Sequence, residues 1–114
     1  AYDLYLVFHE LLQYETFMDI INQSSYTAKF KDKEGKNKKL SFISTNHYLL
    51  GTTVPPEGIT VIGGKTGTTS DAGSCLILYS KDEQDNGYIS VVLHAEGSGS
   101  LYLQMNNLLE YTKK

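Results

Sequence analysis

Val61-Ile62-Gly63-Gly64-Lys65-Thr66-Gly67-Thr68-Thr69 runs into Ser70-Asp71-Ala72-Gly73 and then into the apolar stretch Cys75-Leu76-Ile77-Leu78-Tyr79. The first segment reads as a strand over 59–69. Asp and Gly in the middle segment favour a turn, and 73–81 reads as a second strand. Asp82 to Gly87, rich in Asp, Asn and Gly, predicts another tight turn. Tyr88 to Ala95 then forms a third strand, whose run Ile89-Ser90-Val91-Val92-Leu93 suits a central position with burial on both faces. Gly97-Ser98-Gly99-Ser100 ends that strand. Leu101, Leu103, Met105, Leu108, Leu109 and Tyr111 mark a C-terminal helix.

Upstream, Gly51 to Gly58 with Pro55-Pro56 is a loop, and Asn46 to Leu50 is a short segment carrying Leu49 and Leu50. Tyr26 to Phe30 and Lys39 to Ile43 alternate weakly around the polar tip Asp32-Lys33-Glu34-Gly35-Lys36-Asn37, which predicts a hairpin. Leu4, Phe8, Leu11 and Leu12 recur at helical spacing and predict a helix over 2–13. Phe17, Ile20 and Ile21 predict a shorter one over 15–22. The fold class is therefore α+β: N-terminal helices, a small hairpin, a three-strand antiparallel meander and a C-terminal helix.

At 114 residues the chain is one domain or part of one. The net charge is −3, and all ten basic residues are Lys. With no Arg there is no planar fork for phosphate or guanine edges, so nucleic acid is not an expected partner. The basic cluster Lys29 to Lys39 is interrupted by Asp32 and Glu34 and reads as a solvated hairpin. Cys75 is the sole cysteine; its apolar neighbours predict a buried structural thiol. No run reaches membrane-spanning length and no signal peptide is visible. Ala1-Tyr2-Asp3-Leu4 is already in helical register, with no initiator Met and no capping residue ahead of it, and so reads as a cut end.

Two chemistries compete for Gly64-Lys65-Thr66. A phosphate-binding loop needs Gly six positions before the Lys, where Ile59 stands, and a helix directly afterwards, where a turn is expected. The alternative is Lys-Thr-Gly on a strand, one of the short motifs of penicillin-interacting enzymes.

The order Thr45-Asn46-His47-Tyr48-Leu49-Leu50, a Pro-containing loop, Gly63-Gly64-Lys65-Thr66-Gly67-Thr68-Thr69 and Asp71-Ala72-Gly73 resembles serine-type D-alanyl-D-alanine carboxypeptidases, the low-molecular-weight penicillin-binding proteins. Ala1-Tyr2-Asp3-Leu4 is similar to their helix after the Ser-x-Asn motif, and Leu101 to Tyr111 to the helix closing their catalytic domain. The likeness is collinear over nearly the whole chain. It implies that residues 1–114 are the C-terminal portion of such a domain, an incomplete β-lactamase/DD-peptidase-like fold.

The resemblance implies removal of a terminal D-Ala from a peptidoglycan stem peptide through an acyl-enzyme on Ser, a state that β-lactams trap. No cofactor and no metal are implied. Lys65, Thr66, Gly67 and Thr68 would be the catalytic residues. Lys65 would hold the Ser of the second motif and attract the substrate carboxylate. Thr66, Thr68 and Thr69 would bind substrate, Gly67 would let the ligand approach closely, and the Thr68 backbone N–H would donate to the oxyanion.

This chain departs from the family pattern in two places. No Ser here has Lys three residues on, so the Ser-x-x-Lys nucleophile is missing. Ser44-Thr45-Asn46 fits the letters of Ser-x-Asn but lies too far downstream, and Asn46 is expected to bond backbone instead. The implied partners are the missing N-terminal part of the domain, the stem peptide and β-lactams. Without that part the 88–95 strand would be an apolar edge open to self-association. The family's location, outside the cytoplasmic membrane, is also implied. Competing functions are a non-catalytic binding module and, less well supported, a nucleotide-binding protein. His9 reads as a surface residue, His47 as a loop residue and His94 as a strand-end residue near Glu96; their spacing fits no metal pattern.

Overall fold

The computed structural model describes residues 1–114. It contains α1 (Tyr2–Leu11), α2 (Glu15–Ile21), β1 (Ser25–Lys31), β2 (Asn37–Ile43), α3 (His47–Leu50), β3 (Thr60–Thr69), β4 (Gly73–Lys81), β5 (Gly87–Ala95) and α4 (Ser98–Tyr111). Strands β1 and β2 form a two-stranded antiparallel sheet; β3, β4 and β5 form a three-stranded one in that order. The expected α+β class, meander, hairpin and flanking helices are all present.

The core lies between α4 and one face of the meander. Strand β4 alternates strictly, with Ser74, Leu76, Leu78 and Ser80 buried and Cys75, Ile77 and Tyr79 half-buried. Helix α4 presents Leu101, Met105 and Leu109 at four-residue spacing to Leu76, Leu78, Val92 and Ala95. Burying each of these side chains contributes about 1.5–3 kcal/mol. The other face is covered by α1 over β5 and α2 over β3, with Phe8 and Phe17 meeting edge to face at 5.5 Å.

Three expectations need correction. The central strand is β4, because β5 pairs only with β4 and no segment of this chain adds to its outer edge. Helices cover both faces of β5, so its apolar run is buried on its faces while its edge is open. Cys75 is half-buried: it points away from the α4 core, with its thiol 3.4 Å from the Ala72 carbonyl at the β3–β4 turn. His47 opens α3 and is not a loop residue; Asn46 caps that helix by accepting from the Tyr48 N–H at 3.1 Å, as its expected structural role requires. Gly51 ends α3 in the left-handed region (φ 74°), where a Cβ would be strained. Helix α1 also stops at Leu11, two residues short of the periodicity.

Much of the surface is more open than a compact chain of this mass would allow. Only 18 of 114 residues are buried, and the accessible area is 7790 Å². A compact monomer of 12.7 kDa exposes roughly 6,200 Å². The radius of gyration is 15.8 Å, against about 13 Å for a compact domain of this length. The excess comes from the projecting β1–β2 hairpin and from the outer face of α1, where Tyr2, Leu4, Leu6 and Val7 are exposed.

Candidate active site

Strand β3 is the other edge of the meander, and its C-terminal half carries Lys65, Thr66, Gly67 and Thr68. Alternation sends Gly64, Thr66 and Thr68 to the α4 side and Gly63, Lys65 and Gly67 to the α2 side. Close packing anchors the start of this segment. A Cβ on Gly63 would lie 2.4 Å from the Ile21 carbonyl oxygen. One on Gly64 would lie 2.2 Å from that of Ile77. Gly67, by contrast, faces open space, with nothing within 4 Å.

A groove of about 410 Å³ follows these residues. Lys65, Thr66, Gly67 and Thr68 line it with Thr45, His47, Ser74, Ser98, Leu101 and Tyr102. Hydroxyls from four elements converge there, together with one ammonium and one imidazole, and no carboxylate is among them. Such a groove suits an anion that accepts hydrogen bonds. On the other side of Lys65 a second cavity of about 620 Å³ opens between α2, the base of the hairpin and β3, walled by Ile20, Ile21, Tyr26, Phe42 and Ile43. Lys65 is exposed where the two meet, and its ammonium donates to the Thr66 carbonyl.

The groove is braced from α4. The Tyr102 hydroxyl accepts from the His47 N–H at 3.1 Å and donates to the Thr45 carbonyl at 3.3 Å. The His47 ring stacks on Tyr102, 4.3 Å between centroids and 9° from parallel. Thr45 is thereby held so that its hydroxyl hydrogen-bonds that of Thr66. Burial raises the Tyr102 phenol above its usual range, against the opposing effect of the His47 N–H. Burial, with Tyr102 close by, raises Tyr48 further; its hydroxyl donates to Asn106 Oδ1 at 2.7 Å.

Of the residues expected in the site, Lys65, Thr66, Gly67 and Thr68 lie together along the groove, and Thr69 does not. It sits at the end of β3, where its hydroxyl oxygen accepts from the Ala72 N–H at 2.9 Å and holds the turn. Ser44 and Asn46 serve local structure, the Ser44 hydroxyl accepting from the Asn46 N–H at 3.1 Å. Thr45 and His47 are groove residues that sequence reasoning missed, since nothing in the spacing pairs Thr45 with Thr66. His9 and His94 lie elsewhere. A phosphate-loop geometry is excluded: Lys65 is inside a strand that turns into β4, and no helix begins after it.

The D-alanyl-D-alanine carboxypeptidase family model matches residues 1–97, and the chain belongs to this family. Among solved structures, a point mutant of the Streptomyces K15 DD-transpeptidase is 25% identical, with a TM-score of 0.75 over 88% of this chain and 36% of that one. A D-alanyl-D-alanine carboxypeptidase from Mycobacterium tuberculosis is 18% identical, with a TM-score of 0.71 over 98% of this chain and 39% of that one. The chain thus spans well under half the length of either structure.

Proposed function

We propose that this chain forms the lysine-bearing wall of the cleft in a serine-type D-Ala-D-Ala carboxypeptidase, and that the nucleophile belongs to polypeptide N-terminal to Ala1. In the complete site the Ser hydroxyl attacks the carbonyl of the penultimate D-Ala. The C–N bond to the last residue breaks, its amine takes a proton and leaves, and water then hydrolyses the acyl ester. Lys65 holds the Ser of the second motif and draws in the substrate carboxylate. The Thr66 and Thr68 hydroxyls bind that carboxylate, and the Thr68 N–H is one of two donors to the oxyanion. Stem peptide lies along the free edge of β3 as an added strand. β-Lactams react at the same Ser, and the parent protein works outside the cytoplasmic membrane.

The observation that carries this reading is the carboxylate-free groove along Lys65, Thr66, Gly67 and Thr68 in a chain with no Ser-x-x-Lys. The excess exposed surface supports it, because a second half of the domain would cover that surface.

The test is a labelled penicillin followed by intact-mass measurement. The 114-residue chain is expected to stay unmodified. A longer polypeptide that includes the in-frame upstream region is expected to gain one acyl group, with Lys65→Ala slowing acylation about 10²–10³-fold, the range for loss of an electrostatic contact to the reacting centre. An adduct on the short chain would end the claim of inactivity. No adduct on the longer one would end the enzyme reading.

A further inference from the structure

The β1–β2 hairpin is a two-faced ribbon. Cross-strand pairing sets Tyr26 beside Phe42, Ala28 beside Leu40 and Phe30 beside Lys38 on one face. The opposite face pairs Thr27 with Ser41, Lys29 with Lys39 and Lys31 with Asn37. The apolar face is uncovered: Tyr26, Phe30, Leu40 and Phe42 are between 47% and 58% exposed.

Charge is concentrated on the same element. Lys29, Lys31, Lys33, Lys36, Lys38 and Lys39 stand against Asp32 and Glu34, so the hairpin carries +4 and the rest of the chain −7, within the overall −3. Lys36 pairs with Glu34 and Lys38 with Asp32, while Lys29, Lys31, Lys33 and Lys39 have no acidic partner. Lys29 directly opposite Lys39 is unfavourable for the hairpin itself. An anionic surface would relieve that repulsion.

We propose that this hairpin docks on an anionic lipid bilayer. The apolar row enters the headgroup boundary, and the lysines extend their stems to reach phosphate and carboxylate headgroups. A soluble polyanion would account for the charge alone; the exposed aromatic and aliphatic row requires an apolar phase beside it. The absence of Arg fits attraction of a charged surface without bidentate recognition. This inference is independent of the catalytic reading and needs no nucleophile.

Co-sedimentation of the 114-residue chain with vesicles tests it. Phosphatidylglycerol–phosphatidylcholine vesicles are compared with pure phosphatidylcholine, and circular dichroism checks each variant for folding. At least tenfold stronger binding to the anionic vesicles is expected. Lysines near an anionic surface contribute about fivefold each, so Lys29→Gln with Lys39→Gln is expected to weaken binding about 25-fold. Phe30→Ser with Leu40→Ser is expected to weaken it at least tenfold, and Leu4→Ser on the exposed face of α1 to leave it unchanged. Equal binding to both vesicle types, or none to either, overturns the proposal. So does equal loss from Leu4→Ser, which would indicate general stickiness. Binding to soluble polyphosphate as tight as to vesicles and insensitive to Phe30→Ser with Leu40→Ser would replace the bilayer with a polyanion.

Discussion

A Cβ added at Gly64 would sit 2.2 Å from the Ile77 carbonyl oxygen and 2.7 Å from Leu78 Cδ2, whereas one added at Gly67 would meet nothing within 4 Å. The first contact involves backbone of the paired strand and cannot yield without parting β3 from β4. Gly64→Ala is therefore expected to destabilise the chain by about 1–3 kcal/mol, seen as a lower thermal midpoint. Gly67→Ala is expected to change stability by less than about 0.5 kcal/mol, with any effect confined to ligand binding in the groove. A Gly67→Ala midpoint as low as that of Gly64→Ala would mean that Gly67 is a packing residue. Tyr48 gives a second residue-level expectation. Its phenol is raised above its ordinary value of 10.0, chiefly by burial. The folded state therefore keeps the proton that the unfolded state loses, so this contribution is complete below about pH 10 and is lost as pH rises further. An alkaline denaturation series should show stability falling above pH 10, less steeply in Tyr48→Phe. An equal slope in that variant would remove Tyr48 as the cause.

At the scale of elements, the two hairpin turns repeat one device. Asp32 accepts from the Glu34 and Lys36 N–H groups, and Asp82 accepts from those of Gln84 and Asn86. Each Asp ends a strand, and the residue three further on, Gly35 or Asp85, takes positive φ. The Asn86 side chain foremost, helped by Tyr88 and the loop N–H groups, holds the Asp82 carboxyl below its usual range. The contribution is present at neutral pH and fades as pH falls through that range. Asp82→Ala should therefore lower the thermal midpoint at pH 7, and the difference from the parent chain should shrink in acid; a pH-independent difference would contradict the carboxylate's role. These turns, and the strands they join, were legible because Asp, Asn and Gly clusters interrupt apolar runs. The rank of β4 over β5 was not, since both runs are apolar and which one is central depends on pairing partners that no local pattern records. The same holds at the site. Lys65-Thr66-Gly67 is a local signature, and Gly67 and Thr68 follow it along the strand. Thr45 reaches Thr66 only because Tyr102, on a helix 57 residues further on, clamps the backbone around it. Thr69 was misjudged for a related reason: its hydroxyl looks available in the sequence but is engaged by its own turn.

The molecule as a whole exposes roughly 1,500 Å² more than a compact chain of its mass, and much of that excess is apolar. The outer face of α1 presents Leu4, Leu6 and Val7, and the open edge of β5 carries Leu93, 42% exposed. An unpaired strand edge beside apolar surface is a template for association, and a net charge of −3 offers little repulsion to oppose it. The isolated chain is therefore expected to self-associate. Its light-scattering mass should rise with concentration above the 12.7 kDa monomer, and it should bind an apolar fluorescent dye in its native state. Leu93→Lys places a charge at the β5 edge and should shift the mass toward the monomer if strand pairing drives association. Leu6→Lys should do so if the α1 face drives it, and comparing the two identifies the surface responsible. A chain that stays monomeric at high concentration and leaves the dye dark would show that these surfaces need no cover, removing the structural support for a missing half of the domain.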